Sequence, residues 1–131
     1  MKFETQYNIH WFRMNIEELR AHCLHLPQAT EGMPFGEGSL VFKVGGKMFA
    51  LASLNGAPLR INLKCEPNEA LQIRESYPAV IPGYHMNKKH WNTVILDGSI
   101  ADAQLVKWIS TSYQLVFKSL PLKTQAIINN V

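Results

Sequence analysis

The chain has 131 residues, 47% apolar and 18% charged: enough apolar side chains for one core without staples, and no signature of disorder. No apolar run approaches the roughly 18 residues a membrane helix needs. The formal net charge of +3 and a pI near 9.0 permit anionic partners, without the denser basic patch that dedicated nucleic-acid domains often carry.

Two cysteines, Cys23 and Cys65, are too few for a secreted disulfide framework. Both are expected to be reduced and the compartment cytoplasmic. Residues 1–13 show neither a helical nor a strand period, and they lack the apolar run and cleavage site of a secretory signal. Two readings stay open for them: an extension ahead of Met14, or an ordered arm packed through Phe3, Trp11 and Phe12.

The first predicted helix runs from about Asn15 to His25. Asn15 and Glu18 have capping-box spacing, Ile16, Leu19, Cys23 and Leu26 repeat on one face, and Pro27 stops the helix. A turn-rich stretch, QATEGMPFGEG, comes next. SLVFKV and KMFALASL then flank Gly45-Gly46, a strong hairpin signal. LRINLK makes a third strand, with Leu59, Ile61 and Leu63 on one side and Arg60, Asn62 and Lys64 on the other. Pro67 opens a short second helix, NEALQIRESY, ending before Pro78. AVIPGYH and HWNTVIL read as two further strands around an MNKK turn. Ser99 and Asp102 have capping-box spacing ahead of the last helix. That helix is amphipathic, with Val106, Ile109, Tyr113, Val116 and Leu120 opposite a polar stripe, and Pro121 ends it.

The predicted order is α-β-β-β-α-β-β-α. Hairpin-linked strands imply a mostly antiparallel sheet with helices on one face, a two-layer α/β sandwich of the α+β class. The domain spans 14–120, between the 1–13 segment and a 121–131 tail with no assigned structure.

Several segments carry a resemblance in this order and spacing. They are Leu26-Pro27, Pro34-Phe35-Gly36, Phe42-Lys43-Val44, Gly46 to Ala50, Asn62-Leu63-Lys64, and above all Pro82-Gly83-Tyr84-His85-Met86-Asn87-Lys88-Lys89-His90-Trp91, with Ser112-Tyr113 on the last helix. From about Met14 to Leu120 the chain resembles the MmcQ/YjbR family. The resemblance implies a two-layer fold of the secretion-chaperone kind, also likened to frataxin. The family is often labelled DNA-binding, from its similarity of shape to a double-wing nucleic-acid domain; fold analogy of that kind is a weak warrant for function. The resemblance establishes no reaction. It marks Tyr84, His85, Asn87, Lys88, His90, Trp91, Ser112 and Tyr113 as motif residues.

The residues themselves offer little catalytic chemistry. His85 and His90 have no neighbouring Asp, Glu or Cys to complete a zinc set, so no metal is expected and the pair is read as shaping the turn, with Trp91 in the core. Cys23 has His22 and His25 nearby in sequence, but i±1 and i±2 positions do not share a helix face, so a buried thiol is expected. Frataxin-like iron binding needs an acidic ridge of oxygen ligands, and the first helix offers only Glu17 and Glu18. Phosphate-loop and nucleophile-elbow motifs are absent from the sequence, and no cofactor is expected.

Basic residues on strands and hairpin tips remain. Lys43, Lys47, Arg60, Lys64, Lys88 and Lys89 are candidate phosphate contacts, against the alternative of a solvated surface with blunted sheet edges. The expectation is a monomeric, non-enzymatic binding domain with DNA as the nominal partner. The alternative is a protein-interaction or chaperone-like module using apolar surface at Trp11, Phe12, Met33 and Phe35. An enzyme built on His85, Asn87, Lys88 and His90 ranks third.

Overall fold

The computed structural model describes residues 14–84 and 86–130. The elements run α1 (Ile16–His25), β1 (Thr30–Gly32), β2 (Ser39–Val44), β3 (Lys47–Ser53), β4 (Arg60–Lys64), α2 (Pro67–Ser76), β5 (Val80–Pro82), β6 (Trp91–Ile95), α3 (Asp102–Lys118) and α4 (Leu122–Asn129). The strands form one antiparallel sheet in the order β1-β2-β3-β4-β6-β5. This is an α+β fold, with two elements beyond those read from the sequence.

Leu40, Phe42, Ala50, Ala52, Ile61, Leu63 and Val94 belong to the buried core. Alternation along the strands puts them on one face. Leu19 and Cys23 of α1 and Leu105, Ile109, Tyr113 and Val116 of α3 complete this core. α2 joins the same layer, since the Asn92 amide of β6 donates to the Ala70 carbonyl at 3.4 Å. The opposite face of the sheet carries no helix among the described residues.

Local chemistry explains most element ends. In α1, the Asn15 carboxamide accepts from the Glu18 N–H at 2.8 Å and the Glu18 carboxylate accepts from the Asn15 N–H at 3.0 Å, the reciprocal capping box. Gly45 and Gly46 have φ of +58° and +82°, the left-handed pair that a two-residue hairpin turn requires. Leu120 packs so close to Gly45 that a side chain there would overlap it.

Three expectations need correction, and the unassigned tail gains a structure. The turn-rich stretch contains β1, an edge strand paired to β2 through Thr30, Glu31 and Gly32. The tail is a helix, α4, anchored by buried Ile128. The AVIPGYH strand is only Val80–Pro82 long. The Ser99/Asp102 capping box does not form: Asp97 accepts from both the Ser99 N–H (2.9 Å) and its hydroxyl (2.6 Å), and α3 starts behind Ala101 with no side-chain cap. No helix of the described residues is long and apolar enough to cross a membrane.

Candidate functional site

The antiparallel register decides where the basic residues gather. β2 ends and β3 begins at the Gly45-Gly46 turn, and β4 ends at Lys64, which pairs with Trp91 at the start of β6. β5 runs toward Pro82, opposite Asn92, so the 83–90 loop leaves the sheet at that same end. Lys43, Lys47, Lys64, Lys88 and Lys89 are thereby brought to one end of the sheet. Arg60 is not: it opens β4 at the other end, paired with Ser53 and Ile95. Lys47, Lys88 and Lys89 are exposed, while Lys43 and Lys64 are half-buried. Among the described residues none of the five lysines is paired with a carboxylate. Three strand spacings separate the two hairpin tips, roughly 14 Å at about 4.8 Å each.

The 83–90 loop is braced. Arg74 of α2 donates to the Asn92 side-chain oxygen at 2.6 Å, to the Lys88 carbonyl, and more weakly to the Trp91 carbonyl at 3.4 Å. The Asn87 side-chain oxygen accepts from the Lys89 N–H at 2.9 Å, and the Asn87 backbone carbonyl accepts from the N–H groups of His90 and Trp91. Gly83 lies against Trp91, where an added Cβ would sit 2.8 Å from the Trp91 Cβ, so only glycine fits. The His90 carbonyl accepts from the Cys65 N–H at 2.8 Å. Of the motif residues, Asn87 and His90 therefore hold the loop through hydrogen bonds, and Trp91 is half-buried. His85 lies outside the described residues, so the His85/His90 pair and the enzyme reading built on it have no geometry to assess. Nor do Trp11 and Phe12.

Ser112 and Tyr113 serve packing. The Tyr113 hydroxyl donates to the Pro27 carbonyl at 2.6 Å, and its ring meets Phe49 edge-on at 5.3 Å. Burial raises the Tyr113 phenol above its ordinary value. Burial likewise pushes the Cys23 thiol up to about 12, with Glu31 adding to the effect, so it is protonated at neutral pH and a poor nucleophile. Cys65 is raised mainly by burial too. Both are free thiols. No group of three metal-binding side chains occurs among the described residues.

The helix-free face holds a second feature that sequence reasoning missed, a groove of about 410 Å³. Its floor includes Leu51 and a polar chain in which the Tyr84 N–H donates to Thr93 Oγ1 (3.0 Å) and the Thr93 hydroxyl donates to Asn62 Oδ1 (2.5 Å). Asn62, expected to face outward, is on that face yet only 4% exposed. Phe35 and Tyr84, 71% and 64% exposed, stand among the lining residues, as does Arg60. Met33 is exposed nearby in the chain.

A six-stranded antiparallel sheet, helices on one face and a braced lysine-bearing loop define a small α+β domain. The YjbR family model matches residues 24–115, and the chain belongs to that family. It is 43% identical over 110 residues to the uncharacterized protein YbdF of Escherichia coli O157:H7, covering 83% of this chain and 89% of that one. It is 31% identical over 115 residues to the uncharacterized protein YjbR of Escherichia coli K12, covering 88% and 98%. Among solved structures, Deinococcus radiodurans protein DR2400, a DUF419 domain, is similar at a TM-score of 0.85 and 36% identity over 90% of each chain. A Pseudomonas syringae protein gives 0.68 at 27% identity, covering 79% of this chain and 99% of that one.

Proposed function

We propose that this domain binds DNA without catalysing a reaction, gripping phosphates with Lys43, Lys47, Lys64, Lys88 and Lys89. The observation that carries the reading is the gathering of these unpaired cations at one end of the sheet. Two hairpins and the end of β4 supply them. The spacing of the two tips, roughly 14 Å, is close to the ~12 Å width of a B-DNA major groove. Each tip would then meet one phosphate strand. Glu66 and Glu69 at the start of α2 temper the positive field, so moderate affinity is expected. Arg60 stands outside this cluster and has no role in the phosphate contact.

Contacts of this kind displace condensed counterions, about 0.9 per phosphate on duplex DNA. Five contacts give a log–log salt slope of about −4.5. Fluorescence anisotropy on a short duplex, titrated from low to near-physiological salt, tests this directly.

A further inference from the structure

The groove on the helix-free face has two chemically distinct ends. Ser39 pairs with Ser53 across β2 and β3, and Ser53 pairs with Arg60 across β3 and β4. The three side chains form one cross-strand row, with neighbouring Cβ atoms about 5 Å apart. Among the described residues none of the three makes a side-chain hydrogen bond or ion pair. Arg20 pairs with Glu17 and Glu31, and Arg74 is tied to Asn92. Arg60 alone of the described arginines is uncommitted. Among the described residues no carboxylate lines the groove.

Away from this row the surface turns apolar. Met48, Leu51, Tyr84 and Met86 are among the residues that line it there. Thr93 and Asn62 between them spend their polar atoms on each other and on backbone, so this end offers contact area more than hydrogen bonds. The volume, about 410 Å³, falls in the range of small-molecule sites, roughly 300–1,000 Å³.

We infer that the groove binds a small amphipathic monoanion, its carboxylate or sulfonate on Arg60, Ser39 and Ser53 and its aromatic or aliphatic body against Met48, Leu51 and Tyr84. Charge complementarity selects the occupant: a forked guanidinium and two hydroxyl donors match an oxyanion. A neutral ligand would leave the guanidinium unused, and a cation would meet repulsion. The inference does not depend on DNA binding, because its anion-binding row lies at the opposite end of the sheet from the lysine cluster and none of the five lysines is among the residues that line the groove.

The test uses two dyes of similar body on the full chain: anilinonaphthalene sulfonate, a monoanion, and N-phenyl-1-naphthylamine, its uncharged counterpart. The expected result is saturable binding of the anionic dye at one site per chain. Arg60→Gln should weaken it about tenfold, a typical loss for a hydrogen bond to a charged group, and leave the neutral dye within twofold. Tyr84→Ala should weaken both. Arg60→Lys keeps the charge without the fork and should fall between wild type and Arg60→Gln; it carries the test if Arg60→Gln fails to fold. Equal losses of both dyes on changing Arg60, or no saturable binding to wild type, would overturn the inference. So would a chain that sediments as a dimer and excludes both dyes, because that assigns the groove to a second copy.

Discussion

The Ser112 hydroxyl of α3 donates to the carbonyl oxygen of Phe49 at 2.6 Å. The Ser112 hydroxyl oxygen in turn accepts from the Lys64 N–H at 2.8 Å. Ala50 and Leu63 are the last paired residues of β3 and β4 at this end; one step further, Phe49 and Lys64 stand opposite each other. Ser112 inserts its hydroxyl there, satisfying both backbone groups and fastening the helix layer to the sheet beside the lysine cluster.

Ser112 is fully buried, so Ser112→Ala leaves a buried carbonyl and a part-buried N–H without partners. At about 1–3 kcal/mol for an unsatisfied group, a loss of roughly 2–4 kcal/mol is expected. Urea unfolding measures it. Ser110→Ala on the same helix should cost less than about 0.5 kcal/mol, as substitutions away from such features do.

Arg74 holds the lysine-bearing loop from outside it. Arg74→Gln removes the bonds to the Lys88 and Trp91 carbonyls. Amides of residues 86–90 should exchange with solvent faster, while α3 amides change little. DNA affinity should drop a few-fold with the salt slope nearly unchanged, since the five lysines remain.

The Arg20–Glu31 pair ties α1 to β1, with the Arg20 guanidinium at 2.9 and 2.6 Å from the two carboxylate oxygens of Glu31. The Arg20 hydrogen bond holds the Glu31 carboxyl below its ordinary value of 4.5. A lowered folded-state value means the contribution is present above pH 4.5 and is lost as pH falls through the folded value. Glu31→Gln should therefore lower the urea midpoint slightly at pH 7 and match wild type near pH 2. The effect is small because the pair is solvent-accessible. An equal difference at both pH values would contradict the assignment.

Legibility in the sequence followed how local each cause is. The Asn15/Glu18 cap and the Gly45-Gly46 turn act within a few residues and were read correctly. So was the α3 stripe, since Ile109, Tyr113 and Val116 are buried. β1 was missed because all three of its residues are exposed, so it has no period and is held by backbone pairing and the Arg20–Glu31 ion pair. α4 was missed because Leu122 and Ile127 are 81% and 59% exposed, leaving no apolar stripe. Ser99 looked like a cap until Asp97 took its donors.

The lysines were legible as residue types, but only strand direction places five at one end and Arg60 at the other. The row of Ser39, Ser53 and Arg60 comes from three strands and has no sequence signature, and Arg74 lies 14 residues from the loop position it braces.

The most direct measurement of the central claim is duplex DNA binding by wild type and by Lys88→Glu/Lys89→Glu, across a range of salt. The expected result is a slope of about −4.5 for wild type. The double reversal should bind at least tenfold more weakly, with a slope shallower by about two. Wild type that fails to bind even at low salt, or a double variant that binds equally well, would contradict the phosphate-gripping role of this end of the sheet.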